Sequence, residues 1–250
     1  MREAGGISGK AFNKAMGRVF DNESKLAAFL DYQFRIGGCE NSAYVPVVAG
    51  SHNGLTIHYT KNNAPLQVGD LCLVDAGGQY QGYASDITRT WPIGGQFSAA
   101  QKALYQAVLN VQKQCIKLCT EKESISVDHL QYKSERFMRE ELLDLGFDLV
   151  EGDVNRVLYP HSVGHGIGLD LHEPLPSRNK PLVEGQTITV EPAVYVPPME
   201  RWPKHFHGMA IRIEDTVCVT SEDPFILTVE AAKEIVDIEN IQKDHGDSSD

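Results

Sequence analysis

Three predicted β-strands contain an acidic residue at a point where a strand should be most apolar. Asp75 and Glu191 each end an apolar strand, and Glu214 lies inside a third. A buried carboxylate has to be paired, coordinated or protonated, because an isolated charge is costly to remove from water. Any fold of this chain must therefore supply a counter-charge, a cation or a proton at these strands.

Asp86 adds a fourth carboxylate, eleven residues after Asp75 in the next predicted strand. A strand, a short turn and a returning strand can bring the two side chains face to face. Either residue alone is compatible with a turn or capping role. As a pair in contact they would repel each other strongly unless cations or protons neutralised them, which favours a cation site.

Histidines are concentrated in one glycine-rich segment. Three of the nine, His161, His165 and His172, lie within twelve residues of one another. Glycine lets the backbone approach a ligand closely, and neutral imidazole binds first-row transition metals. A single histidine is usually a satisfied polar residue, whereas three in such a segment favour a functional role.

Arg212 and Glu214 lie two residues apart, so they share one face of their strand. In isolation this pair is equally compatible with a salt bridge on a solvated sheet face. The pair gains significance only as part of a larger group of acidic residues.

Four carboxylates and one histidine form the candidate site: Asp75, Asp86, Glu191, Glu214 and His165. The charge of four carboxylates matches two divalent cations. Hard oxygen donors with one imidazole and no thiolate favour Mn²⁺, Co²⁺, Fe²⁺ or Zn²⁺. Two such ions about 3.5–4 Å apart are a known hydrolytic device.

Helical and strand patterns alternate in blocks along the chain. Helices are predicted to begin at Ser8, near Asn22, at the Ser98–Gln101 capping box and near residue 127. Strands are predicted at residues 44–48, 55–59, 71–75, 83–89, 161–172, 186–191 and 211–219. This order favours an α+β fold in which helices pack on one face of a mostly antiparallel sheet. The recurrence of the pattern indicates a pseudo-duplicated domain, although the residues show no clear repeat.

Composition narrows the class of protein. The chain of 250 residues is one large domain or two small ones, and its net charge of −11 disfavours nucleic acid and anionic membranes as partners. No apolar run approaches the roughly 18 residues of a membrane helix.

Five cysteines without a C-x-x-C pair predict reduced thiols. Residues 241–250 are polar and are expected to be a disordered tail.

The segments that contain the candidate site resemble those of the metallopeptidases with the pita-bread fold. They are VDAGGQYQGYASDITRTWP, HSVGHGIGLDLHE, TITVEPAVYVP and IRIED. The likeness is greatest to the Xaa-Pro aminopeptidase and prolidase branch, and within it to the mitochondrial Xaa-Pro aminopeptidase group of the intermediate cleaving type. The resemblance implies a curved antiparallel sheet with helices on its outer face over residues 1–240. The N-terminal domain that the family usually carries is expected to be absent from this chain.

The resemblance also implies a role for each candidate residue. One metal would be bound by Asp75 and the other by His165, with Asp86 and Glu214 bridging both. Glu191 would bind the second metal and shuttle a proton, and Arg212 would orient an aspartate ligand. The remaining histidines, His58, His161 and His172, would contact substrate and stabilise the transition state.

The function implied is removal of an N-terminal residue from peptides or proteins, through attack of a hydroxide that bridges two divalent ions. Mn²⁺ is the expected metal, with Co²⁺, Fe²⁺ or Zn²⁺ as alternatives. An Xaa-Pro specificity is expected, and methionine aminopeptidase-like or dipeptidase specificity and a non-catalytic binding module are the alternatives. A mitochondrial location is expected, with a cytoplasmic one as the alternative. The oligomeric state, a homodimer among the options, is left open.

Overall fold

The computed structural model describes residues 1–246. Every pair of strands in this part of the chain runs antiparallel, in three three-stranded sheets and one two-stranded sheet. The strands are β1 (Asn41–Ser42), β2 (Val47–Gly50), β3 (Leu71–Ala76), β4 (Gly78–Tyr80), β5 (Tyr83–Ala84), β6 (Ile87–Pro92), β7 (Thr187–Val190), β8 (Ala193–Tyr195), β9 (Ala210–Arg212), β10 (Asp215–Cys218) and β11 (Phe225–Ile226).

Five α-helices accompany these sheets. They are α1 (Arg2–Met16), α2 (Glu23–Ile36), α3 (Ala99–Lys117), α4 (Val127–Asp144) and α5 (Ile235–Gly246). The side chain of Asn22 caps α2, and Ser98 with Gln101 forms the predicted capping box at the start of α3. The α+β prediction is therefore confirmed. Among the described residues, no helix is both long and apolar enough to cross a bilayer.

Two predictions at the N-terminal side of the fold are wrong. Ser8 is not an N-cap, because α1 begins at Arg2; it is buried in the middle of that helix and accepts a hydrogen bond from the backbone of Gly78. Residues 55–59 are not a strand but follow a 3₁₀ turn at Ser51–Leu55. Tertiary hydrogen bonds to that segment outweigh its β-branched and aromatic side chains.

Two further predictions, both in the C-terminal half, differ from the structure. Residues 161–172 form a loop with isolated bridges rather than a strand, since Gly166 pairs singly with Glu173 and Ile188. The predicted tail at 241–250 falls partly on α5, in which Ile241 packs against the core. Residues 247–250 of that prediction lie outside the described residues.

The two β-rich regions meet behind the candidate site. Thr88 of β6 forms an isolated antiparallel bridge with Glu214, which lies just before β10. The Arg89 guanidinium, fully buried, contacts the Asp215 carboxylate at 2.7 Å. These contacts place the acidic residues of both regions on one side of the joined sheets.

Candidate metal centre and active site

One cavity of about 450 Å³ is lined by all nine residues that the sequence singled out. They are Asp75, Asp86, His165, Glu191 and Glu214, the expected metal ligands, and His58, His161, His172 and Arg212. They come from the loop after β2, the β3–β6 region, the loop at residues 161–172 and the β7–β10 region. The predicted convergence of distant segments is therefore observed.

Two glycines permit the close backbone approaches that shape this cavity. A Cβ on Gly77 would lie 1.8 Å from the carbonyl oxygen of Ser85, and one on Gly164 would lie 1.9 Å from that of Thr189. Gly77 lies between β3 and β4, two residues after Asp75, so any side chain there would displace the backbone of Ser85, which directly precedes Asp86.

The tightest cluster consists of Asp86, His165 and Glu214, whose ligand atoms lie within 4.8 Å of one another. Asp86 and Glu214 are buried, and His165 is half-buried. The Nδ1 atom of His165 lies 2.9 Å from the carbonyl oxygen of Gly166, so Nδ1 donates a proton there and Nε2 faces the carboxylates. That nitrogen is 3.5 Å from Asp86 Oδ2, which is the orientation a metal ligand needs.

Asp75 lies beside Asp86 but has different partners. Its Oδ2 atom accepts a hydrogen bond of 2.6 Å from Arg212, and its Oδ1 atom lies 2.6 Å from the Tyr44 hydroxyl. The same hydroxyl is 2.6 Å from Asp86 Oδ1, so Tyr44 connects the two carboxylates. Arg212 therefore pairs with Asp75 and not with Glu214, and the alternative of an exposed Arg212–Glu214 salt bridge is wrong.

Glu191 faces two histidines from the end of β7. Its Oε1 atom lies 3.7 Å from His165 Nε2, and its Oε2 atom lies 3.9 Å from His161 Nδ1. Thr189 donates a hydrogen bond of 3.3 Å to Oε1. Burial raises the pKa of Glu191 to about 7, against the opposing charges of Arg212 and His165.

His161 has both ring nitrogens engaged. Nδ1 donates to the carbonyl oxygen of Ser162 at 2.9 Å, and Nε2 accepts from the Tyr195 hydroxyl at 3.0 Å. The Tyr195 oxygen in turn accepts a hydrogen bond of 2.7 Å from Arg212. Burial, reinforced by the charge of Arg212, lowers the pKa of His161 to about 4, so its ring is neutral at pH 7.

The other two histidines stand at the cavity wall with fewer contacts. The rings of His172 and His165 meet edge to face, with centroids 4.3 Å apart. His58 is exposed at the rim. Among the described residues, no hydrogen bond occupies a ring nitrogen of His58 or His172, which leaves both rings able to contact a ligand.

The electrostatics of the cluster fit divalent cations. Burial raises the pKa of Glu214 well above its ordinary value, and the neighbouring Asp86 and Glu191 raise it further. Burial likewise raises the pKa of Asp75, although Arg212 opposes the shift. Neighbouring buried carboxylates repel one another when they are ionised, so protons or cations must neutralise them. Divalent cations can therefore take the place of protons in this site.

Sequence reasoning missed several residues that support the site. The Thr88 hydroxyl donates to Glu214 Oε2 at 2.6 Å, Tyr44 joins two aspartates, and Tyr195 connects His161 to Arg212. Thr88 and Tyr195 lie inside the segments that carry the family resemblance, so their positions offered a signal. Tyr44 lies outside those segments, and only the fold shows its role.

A family model for metallopeptidase family M24 matches residues 1–221. The chain belongs to metallopeptidase family M24. This result confirms the family and the pita-bread fold that the motifs implied.

Individual members of family M24 are similar over nearly the whole chain. Xaa-Pro aminopeptidase 3 of Rattus norvegicus is 39% identical over 249 residues, which cover 96% of this chain and 49% of that protein. Intermediate cleaving peptidase 55, mitochondrial, of Arabidopsis thaliana is 37% identical over 248 residues, which cover 98% and 50%. The crystal structure of Icp55 from Saccharomyces cerevisiae bound to the inhibitor apstatin superposes with a TM-score of 0.92 at 48% identity, covering 97% of this chain and 60% of that one.

This chain spans about half the length of the curated relatives it matches. The similarity therefore concerns the M24 domain. The family is one of metallopeptidases, and the cluster of Asp86, His165 and Glu214 is suited to divalent metal.

Proposed function

We propose that this chain is the catalytic domain, formed by residues 1–240, of a metal-dependent aminopeptidase that removes one residue from the N-terminus of a peptide or protein. The observation that carries the proposal is the convergence of Asp86, His165 and Glu214, whose ligand atoms lie within 4.8 Å of one another in the cavity. Membership of a metallopeptidase family supports it.

The proposed ligands are four carboxylates and one imidazole. Asp75 would bind one ion, His165 and Glu191 the other, and Asp86 and Glu214 would bridge them. This oxygen-rich donor set suits Mn²⁺, which we propose as the metal, with Co²⁺, Fe²⁺ or Zn²⁺ as alternatives. When bound, such ions act as Lewis acids and lower the pKa of water enough to provide a nucleophile near neutral pH.

Glu191 is the proposed proton carrier. Its carboxyl group faces the cavity from the end of β7, with one oxygen near His165 and the other near His161, so it is placed to take up and release a proton at a bound substrate. The Oε2 atom, turned toward His161, would receive the proton of the attacking water and return it to the leaving nitrogen. General acid–base catalysis of this kind contributes about 10²–10⁴-fold to the rate.

Three histidines are proposed to form the substrate-binding part of the cavity. His58 and His172 have ring nitrogens that no described residue occupies, so they can donate to carbonyl oxygens of a bound peptide. A hydrogen bond from His172 to the carbonyl that is attacked would stabilise its developing negative charge. The neutral His161 ring, held between Ser162 and Tyr195, would form a fixed wall of the cavity beside Glu191.

The substrate class follows from the relatives and is also part of the proposal. A relative with 48% identity binds apstatin, and others are named Xaa-Pro aminopeptidase or intermediate cleaving peptidase. We therefore propose peptides or protein N-termini with proline in the second position as substrates, and a mitochondrial location.

The proposal is tested by hydrolysis of Xaa-Pro, Xaa-Ala and Xaa-Ser peptides of two or more residues in the presence of Mn²⁺. We expect release of the first residue, with proline preferred in second position. Asp86→Ala and Glu191→Ala should each lower kcat at least about 10²-fold while the circular dichroism spectrum is unchanged. Glu222→Gln, which changes an acid in an exposed ion pair with Lys122, should leave kcat unaltered.

Near-normal hydrolysis in either site variant would refute the proposed roles. Cleavage that survives removal of metal by a chelator would refute metal dependence.

A further inference from the structure

A fully buried carboxylate lies outside the proposed active site. Glu23 is the first residue of α2 and has no solvent exposure. Its Oε1 atom accepts hydrogen bonds of 2.9 Å from the backbone of Gly50 and from the Asn53 amide. Its Oε2 atom accepts from the Tyr59 hydroxyl at 2.9 Å and from the backbone of Ala64 at 2.8 Å.

All four donors belong to the segment 50–64, which begins at the last residue of β2 and forms most of the connection to β3. The two oxygens of a carboxylate offer about four acceptor positions, so this one segment satisfies the side chain of Glu23 completely. The segment has little regular structure beyond the turn at Ser51–Leu55. Its described contacts include these four hydrogen bonds to Glu23 and those of the Asn62 side chain with Val48 and Pro46.

The same segment contributes three residues to the cavity wall: Ile57, His58 and Thr60. His58 directly precedes Tyr59, whose hydroxyl is bound to Glu23. The backbone is left-handed at Ser51 (φ 51°) and Asn62 (φ 46°), a conformation that asparagine tolerates and serine adopts much less often. Local sequence preference alone does not produce this loop.

We propose that Glu23 is a positioning residue for substrate recognition, which fixes the segment 50–64 so that His58 is held at the rim of the cavity. Glu23 acts through Tyr59 and the loop backbone and touches no substrate itself. This inference rests on the proposed function, because it takes His58 as a substrate contact. A loop fixed in advance loses less conformational freedom when substrate binds, so Glu23 should lower KM more than it raises kcat.

A carboxylate is required at this position. Glutamine has the same shape, but either orientation of its amide turns an NH₂ group toward a backbone N–H, that of Gly50 or that of Ala64. An NH₂ group in place of Oε1 faces both the Gly50 N–H and the Asn53 amide, and one in place of Oε2 faces the Ala64 N–H, so at least one donor is left unsatisfied in either orientation. Glu23→Gln is therefore a conservative change in volume that removes the proposed interaction.

The test combines kinetics of the Mn²⁺-loaded chain with amide hydrogen exchange. For Glu23→Gln we expect KM to rise about tenfold with kcat within about twofold, and Tyr59→Phe should change KM in the same direction by less. In a His58→Ala background, Glu23→Gln should produce little further change in kcat/KM, because both changes remove one function. The matched control is Glu3→Gln, an exposed acid in the first turn of α1.

Hydrogen exchange separates this inference from the proposed function. Exchange of the amides in segment 50–64 should accelerate in Glu23→Gln, with or without substrate, and not in Glu3→Gln. A wild-type chain that hydrolyses no peptide would refute the proposed function but not the exchange result.

Unchanged exchange in Glu23→Gln would overturn the inference. So would additive effects of Glu23→Gln and His58→Ala on kcat/KM, or a loss of kcat at constant KM. If Glu23→Gln does not fold, Tyr59→Phe alone and in the His58→Ala background decides by the same criteria.

Discussion

At the scale of single residues, the candidate site is a set of acids whose protons compete with cations. Burial is the main cause of two pKa shifts: it raises the pKa of Glu191 to about 7 and that of Glu214 well above its ordinary value. Burial alone would lower the pKa of His165, but Asp86 and Glu191 raise it. Without metal, the Glu191 carboxyl group therefore keeps its proton up to about pH 7, where a free carboxyl group would have lost it.

Metal affinity should consequently rise with pH. A group whose pKa is raised in the metal-free protein must lose its proton before it can bind a cation, so protons weaken binding as the pH falls below about 7. We expect Mn²⁺ to bind more tightly at about pH 7.5 than at about pH 6, with release of protons measurable by titration calorimetry in buffers of different ionisation enthalpy. Glu191→Gln should bind less tightly and with a shallower pH dependence; an equal slope would contradict the role of Glu191.

Three of the five proposed ligand residues could be singled out from sequence because each breaks a local rule. Asp75, Glu191 and Glu214 lie in or at the end of apolar strands. A charged side chain is unfavourable at such a buried position, so these residues stand out in the sequence. Tyr44 and Glu23 break no such rule. A tyrosine in a β-rich segment and a glutamate in the first turn of a helix are ordinary, and only the fold shows what they contact.

At the scale of elements, the capping signals of α2 and α3 were confirmed, whereas the one at Ser8 was wrong. The capping residues of α2 and α3 satisfy nearby backbone groups, so the sequence specifies those ends directly. Residues 55–59 and 161–172 carry strand-like patterns, yet they are loops. Glu23 holds the first, and the close approach of Gly164 to Thr189 shapes the second, so both depend on contacts between residues far apart in the chain.

A buried ion pair joins Arg89 on β6 to Asp215 on β10, with side chains 0% and 1% exposed. Lys233 and Gln112 also donate to Asp215, at 2.6 and 2.8 Å. Burial alone would raise the pKa of Asp215, but the charges of Arg89 and Lys233 outweigh it and hold the pKa below its usual range. This group joins the strands behind Glu214 to α3 and to the chain before α5.

Asp215→Asn should therefore lower the free energy of unfolding by about 3–5 kcal/mol in urea denaturation near neutral pH, because it leaves a buried guanidinium without its counter-charge. The wild-type contribution is fully present above pH 3.8, the ordinary value, and is lost as the pH falls below it. The control Glu222→Gln breaks an exposed ion pair and should leave the free energy of unfolding nearly unchanged. Equal effects of the two changes would contradict the structural role of the buried pair.

At the scale of the whole molecule, the fold brings together side chains that are far apart in sequence, such as Arg212 and Asp75, which are 137 residues apart and in contact at 2.6 Å. The sequence patterns predicted the α+β class and the meeting of two β-rich regions. The strand order within each sheet could not be predicted, because register depends on pairings that no local pattern encodes.

The most direct test of the central claim is the number of Mn²⁺ ions bound per chain, measured by equilibrium dialysis and metal analysis at about pH 7.5. The account predicts two ions for the wild-type chain and for Glu222→Gln, and fewer than two for Asp86→Ala at the same free Mn²⁺ concentration. A wild-type chain that binds no Mn²⁺, or an Asp86→Ala variant that binds as much as the wild type, would contradict it.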